Sequence, residues 1–299
     1  MAHKEVEDEM RLATLRTQQG TSAAVQVDGG FALIDSPDVS TLLADPESLE
    51  KARKAQSRNY AEVLIHDVDF AALATSPVKV ICCGLNYADH ILEMGRELPE
   101  HPTLFAKFSD TLCGAHDVIH NKTSQKVDWE AELAVVVGTE LSNATAVQAI
   151  AGIAGYTVAN DVSMRDWQKR TLQWLQGKTF DATTPIGPML TTADELPEFP
   201  TFEVWGYVND ELMQQGDTSA LVFSPASLLQ YISQFTTLRP GDVVLTGTPG
   251  GVGVGQTPPR FLQDGDILRT EISGLGVLEN RFKSTVETAV TRQDFQLKH

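Results

Sequence analysis

VDWEAELAVVVG, residues 127–138, has the apolar run of a core strand, yet it carries glutamates at 130 and 132. Side chains alternate across a strand, so Asp128, Glu130 and Glu132 share one face with Ala134 and Val136. Trp129, Ala131, Leu133, Val135 and Val137 fill the other face. Two ionised carboxylates on a partly buried face repel each other and lose hydration. A wet edge would relieve that conflict, but both flanks here are apolar. A divalent cation resolves it, because one ion neutralises both charges and takes both oxygens.

Similar runs recur along the chain. VKVICCG (78–84), GIAGYTVANDV (152–162), FEVWGYVND (202–210), GDVVLTG (241–247), GDILRTEI (265–272) and GVLENRF (276–282) read as strands. Helices are few: 88–94, 143–150, a turn over 164–174, and 225–234. There is no regular strand–helix alternation and no internal repeat, which predicts a β-rich α+β fold. Residues 10–34 suggest short strands joined by glycine turns. Residues 45–65 predict a helix, with Asp45 as N-cap and Pro46 in the first turn. The spacing divides the chain into a small N-terminal domain over 1–75, a main domain over 76–290 and a tail over 291–299.

A third oxygen ligand is available in YTVANDVSMRDWQ (156–168). Asp161 follows an apolar strand, where it serves equally as that ligand or as the N-cap of the next helix. Carboxylates alone form a hard donor set, which suits Mg2+ or Mn2+ better than zinc, with Ca2+ a poorer fit. In LNYADHILEMG (85–95), His90 and Glu93 share one face of a short helix. A carboxylate beside an imidazole orients it and raises its basicity, as a general base needs; an incidental pair on a wet helix is the simpler alternative. Gly95, Pro99 and Pro102 suit a lid. Lys178 and Lys107 lie in apolar settings, where each could meet an anionic substrate or simply extend to solvent. The glycine-rich LTGTPGGVGVG (245–255) matches no phosphate-binding loop, and allows backbone to approach a ligand closely beside Thr246 and Thr248.

Bulk properties limit the partners. The 299 residues carry a formal charge of −17, which repels nucleic acid and anionic lipid. No apolar run reaches membrane length. The three cysteines, Cys82, Cys83 and Cys113, lack metal-type spacing and fit buried reduced thiols in a cytoplasmic protein.

Taken in order, GLNYADHILEMG, VDWEAELAVVVG, YTVANDVSMRDWQ, GKTFDATTPIGP, VNDELMQQGDTS, LRPGDVVLTGTPGGVG and ISGLGVLENRF resemble the fumarylacetoacetate hydrolase family from about residue 79 to 282. The resemblance implies a rolled, mixed β-sandwich that forms a homodimer. It implies a Mg2+ or Mn2+ site on Glu130, Glu132 and Asp161. It matches His90 and Glu93 to a catalytic dyad on a lid helix and Lys178 to an active-site lysine. Gln168 and Thr248 match substrate-contacting positions, and Arg165 and Asp128 positions behind them. Phe108 departs from the proline common after the family's lysine, which puts the placement of Lys107 in question.

Family members act on 2-oxo acids. The expected reaction is hydrolysis of an acylpyruvate, with fumarylpyruvate from aromatic-compound breakdown as first choice. Glu93 would orient His90, His90 would deprotonate water, and attack at C4 would break C3–C4 to give pyruvate and a second acid. A divalent ion and Lys178 would stabilise the enolate charge as it develops. Oxaloacetate decarboxylation and isomerisation or hydration of a hydroxy-diene dioate are the competing activities. A non-catalytic binding protein is disfavoured, because every expected acidic, basic and lysine position is retained.

Overall fold

The computed structural model describes residues 10–58, 60–88, 91 and 97–286. The strands β1 (Arg11–Thr17), β2 (Gly20–Val27) and β3 (Gly30–Leu33) form a meander. Its turns place Gly20 and Gly29 at positive φ, a backbone that glycine adopts without strain. Helices α1 (Val39–Leu43) and α2 (Ser48–Gln56) lead to β4 (Val63–Leu64). Then come β5 (Val80–Gly84), β6 (Thr103–Lys107), β7 (Leu112–Cys113), β8 (Ile119–Asn121), β9 (Val127–Asp128) and β10 (Ala131–Val137). After α3 (Ala146–Ala151) follow β11 (Ile153–Asn160), β12 (Ser163–Met164), α4 (Arg165–Gln168), α5 (Leu175–Lys178) and β13 (Thr184–Thr192). The chain continues through β14 (Glu203–Val208), β15 (Glu211–Asp217), α6 (Pro225–Ser233), β16 (Val243–Leu245), β17 (Ile267–Ile272) and β18 (Gly276–Ser284).

These strands form a mixed, sheet-rich fold. The large sheet runs β4-β3-β2-β1-β13-β11-β10-β16-β5-β6, with β7 beside β13. A second sheet runs β15-β14-β17-β18-β8. Ala134 and Val136 of β10 face one core with Leu12, Val80 and Leu245. Ala131, Leu133, Val135 and Val137 face another, with Val204, Leu228 and Ile272. A strand with a core on each side reads as a nearly continuous apolar run, which is the pattern of residues 131–137. The meander extends the same sheet through pairing of β1 with β13, and its apolar residues share the core that contains Val80. No helix among the described residues is long and apolar enough to cross a membrane.

The structure departs from the sequence pattern in two places. The helix expected over 45–65 ends at Gln56, and residues 63–64 instead pair with β3. Past Ala52 and Ala55, the buried residues of that helix, the sequence offers no apolar stripe to hold another turn. Asp45 stands ahead of Glu47, the actual N-cap, and accepts from the Glu47 amide at 2.9 Å. The stretch 127–138 is also two strands, not one. Strand pairing is interrupted at 129–130, between the β9–β12 and β10–β11 ladders, where the Glu130 amide donates instead to Asn160 Oδ1 at 3.0 Å.

Candidate metal centre

The interruption leaves Glu130 and Glu132 at the start of β10, at one end of the β10–β11 ladder. β10 and β11 run antiparallel with Ala131 opposite Asn160, so Glu130 and Glu132 meet Asp161, the residue just beyond β11. The Asp161 amide donates to the Glu130 carbonyl at 2.9 Å and fixes that junction. One carboxylate oxygen from each of Glu130, Glu132 and Asp161 lies within 4.8 Å of the other two.

Three cations surround this cluster. Lys178 Nζ lies 2.7 Å from Glu130 Oε2 and 2.8 Å from Asp161 Oδ2. Lys107 pairs with the other Asp161 oxygen, so Phe108 does not draw this lysine away from the site. Arg165 reaches Glu130 Oε1 and Asp128 Oδ2, each at 2.7 Å. Asp128 in turn accepts from the amides of Gly253 and Val254. The cap alternative for Asp161 is not what the fold uses: the N-cap of the short helix α4 is Met164, with no side-chain cap hydrogen bond. Burial works to raise the Asp161 pKa, but Lys107 and Lys178 outweigh it and hold the carboxyl below its ordinary value. Burial likewise works against the Lys178 ammonium, and Asp161 and Glu130 reverse that, so its pKa is raised.

Glu132 is different. It accepts from the Gly247 amide at 2.7 Å and makes no ion pair among the described residues. Burial, with Asp161 and Glu130 beside it, pushes its carboxyl well above the usual range. A buried carboxylate with like charges as neighbours is what a cation would relieve, and the all-oxygen donor set fits a hard divalent ion. Four carboxylates, counting Asp128, face three cations here. With one divalent ion bound and all four carboxylates ionised, the cluster carries an excess positive charge, which suits an anionic substrate.

Other residues singled out in the sequence take several positions. Gln168 is buried and its Oε1 accepts from Arg165 Nη1 at 3.0 Å. The Thr248 hydroxyl donates to the Ala131 carbonyl at 2.9 Å. His90 and Glu93 lie outside the described residues. All three cysteines are buried and free, and burial pushes the Cys83 thiol up to about 12, so none is an activated nucleophile.

The structure also shows contributors that no local pattern announced. The Gly247 amide on Glu132 depends on β16 lying antiparallel to β10. Trp174 packs on Gly84, where a Cβ would come within 2.5 Å of its ring, and meets Phe105 edge-on at 5.5 Å. Phe105 offers its face to Lys178 Nζ at 5.0 Å, so an aromatic wall backs the lysine. Gln214, from the second sheet, reaches Ala131 and Thr248.

The comparisons fit this geometry. The family model for the fumarylacetoacetate (FAA) hydrolase C-terminal domain matches residues 79–283. The human protein named oxaloacetate tautomerase FAHD2A, mitochondrial, is 45% identical over 237 residues, which cover 78% of this chain and 76% of that protein. The solved fumarylacetoacetate hydrolase of Exiguobacterium antarcticum superposes with a TM-score of 0.78 at 31% identity, covering 92% of this chain and 99% of its own. A 5-carboxymethyl-2-hydroxymuconate delta-isomerase from Mycobacterium smegmatis superposes with a TM-score of 0.74 at 30% identity, covering 93% and 100%. The chain belongs to the fumarylacetoacetate hydrolase family.

Proposed function

We propose that this enzyme interconverts the enol and keto forms of oxaloacetate or a closely similar 2-oxo dicarboxylic acid, with Mg2+ or Mn2+ held by Glu130, Glu132 and Asp161. The observation that carries the reading is the pairing of that carboxylate cluster with Lys178 and Lys107 in one buried site. The 45% identity to a protein named for oxaloacetate tautomerase supports it over the competing activities.

The chemistry is an internal proton shift: C3 gains or loses a hydrogen while the C2 oxygen loses or gains one, and no water enters the product. When bound, a divalent ion would polarise the C2 carbonyl and make the C3 proton more acidic. Lys178 supplies positive charge where the C2 oxygen becomes negative, and its partners keep it protonated. Lys107, sharing Asp161 with Lys178, holds that carboxylate ionised and aimed into the cluster. Arg165 aims the Glu130 carboxylate in a similar way through its 2.7 Å ion pair.

A second reading, hydrolysis of an acylpyruvate such as fumarylpyruvate, is favoured by the His90 and Glu93 pair in the sequence, since activating water is the clearest use for it. A homodimer is part of the proposal: Leu172 and Leu175, in the segment just before Lys178, are exposed apolar side chains that a second copy would cover. Sedimentation at several concentrations checks this.

The deciding experiment compares the purified enzyme with Mg2+ and with Mn2+ on enol-oxaloacetate, acetylpyruvate and fumarylpyruvate, and follows pyruvate release from oxaloacetate. The tautomerase reading expects the loss of enol absorbance to be accelerated far more than either cleavage, and to survive His90→Ala. Cleavage of an acylpyruvate as the fastest reaction, abolished by His90→Ala, would replace it with the hydrolase reading.

A further inference from the structure

Gln214 is a buried side chain on β15 whose three polar contacts all point at the candidate site. Its Oε1 accepts from the Ala131 amide at 2.9 Å. Its Nε2 donates to Thr248 Oγ1 at 2.7 Å and to the Pro249 carbonyl at 2.9 Å. The Thr248 hydroxyl closes the ring by donating to the Ala131 carbonyl at 2.9 Å. Ala131 is the residue between Glu130 and Glu132, and Thr248 follows Gly247, whose amide holds Glu132. One carboxamide from the second sheet therefore clamps the segment that carries Glu130 and Glu132 onto the loop that positions one of them.

The surrounding backbone makes room for this clamp. Gly206 on β14 pairs with Gln214, and a Cβ there would lie 3.0 Å from Gln214 Oε1 and 3.4 Å from the Ala131 Cβ. Gly251, at φ +98°, lies so close above that a Cβ would fall 1.9 Å from the Met213 carbonyl. Gly206 thus leaves room for the carboxamide, and Gly251 lets the loop after Thr248 approach the β15 backbone that carries it. A buried amide whose donors and acceptor are all used is rigid, because losing any partner strands a polar group away from water.

We propose that Gln214 is a positioning residue for the metal centre: it acts through Ala131 and Thr248 to set the spacing of Glu130 and Glu132, and so tunes divalent-cation affinity. This rests on the carboxylate triad binding the ion, but not on which 2-oxo acid is turned over. Partners standing behind metal ligands typically change affinity about 10–100-fold when removed.

The test is Mn2+ titration of the metal-free full-length protein by calorimetry, with thermal unfolding in parallel. Gln214→Leu keeps much of the volume and removes every polar contact; it is expected to stay folded and bind Mn2+ at least about tenfold more weakly. Gly206→Ala removes no hydrogen-bonding group but presses on the carboxamide, and is expected to weaken Mn2+ binding when residue 214 is glutamine and not when it is leucine. That dependence is one a purely structural role would not produce, and it stands even if the leucine variant is less stable. Unchanged Mn2+ affinity in folded Gln214→Leu, or an equal effect of Gly206→Ala in both backgrounds, overturns the role of Gln214 alone. Failure of the wild-type protein to bind Mn2+ overturns the metal reading with it.

Discussion

Arg165 Nε donates to Asp128 Oδ2 across 2.7 Å, with both side chains buried, while its Nη2 lies 2.7 Å from Glu130. Asp128 thereby sets the direction from which the guanidinium reaches a residue of the carboxylate cluster. Asp128→Asn would place an amide donor against the Arg165 and Val254 donors that the carboxylate now accepts from. Removing one partner of a buried ion pair costs about 3–5 kcal/mol. Urea unfolding should show a loss of that size. An unchanged midpoint would show that Arg165 finds full compensation in Glu130.

Lys178 sits between Glu130 and Asp161 as a monovalent cation, so its removal should separate two effects. Lys178→Met is expected to lower kcat by about 100-fold or more, because a positive charge beside the developing oxyanion is lost. The same change removes a cation that repels a divalent ion, so Mn2+ affinity should hold or tighten. Activity assays and Mn2+ titration on one preparation check both. Weaker Mn2+ binding in this variant would mean that the lysine organises the ligands and does not compete with the ion.

Much of the carboxylate cluster could be read in the sequence, and the reason is local. Period-two alternation within 127–137 put Glu130 and Glu132 together, and a strand end in ANDV put Asp161 where a third ligand could stand. The interruption at 129–130 has no sequence signal, because Trp129 is apolar enough to continue a strand, yet its side chain joins a separate core around Ile119 and Phe282. Lys107 on β6, Gln214 on β15 and Gly247 in the loop after β16 reach the site from elsewhere in the chain, and no spacing encodes the pairings that bring them in. The helix over 45–65 was overestimated for a related reason: Glu62 is drawn off by the Leu33 amide at 2.7 Å, a partner 29 residues away.

Glu132 should make metal binding sensitive to pH. Its carboxyl is raised well above the usual range by burial and by Asp161 and Glu130, so the metal-free protein keeps a proton there to higher pH than a free carboxyl would, and binding must displace it. Apparent Mn2+ affinity should therefore rise with pH, by up to about tenfold per unit while that proton is bound. The sign for stability is opposite: the folded state binds more protons at this group than the unfolded one, so its contribution to metal-free stability falls as pH climbs above the ordinary carboxylate pKa. Asp161, held below its ordinary value, titrates beneath that window. Proton release during Mn2+ titration, measured in buffers of different ionisation enthalpy, checks the claim. Release of no proton at any pH above the ordinary carboxylate range would contradict it.

Gly177 precedes Lys178 and is buried against the neighbouring helical turn, where an added Cβ would fall 2.5 Å from the Gln168 amide nitrogen and Cβ, and 2.6 Å from its Cα. Those atoms belong to the backbone or its first carbon, so they cannot swing aside. Gly177→Ala must push apart the turn that carries Lys178 and the turn that carries Arg165 and Gln168. Overpacking of this kind costs about 1–3 kcal/mol, and it should also lower kcat, because Lys178 moves off Glu130 and Asp161. The double variant with Gln168→Ala discriminates the cause: alanine keeps the nitrogen, Cα and Cβ that obstruct, so it should restore neither stability nor turnover. Recovery in that double variant would locate the clash in the outer Gln168 side chain and leave the close backbone approach unsupported.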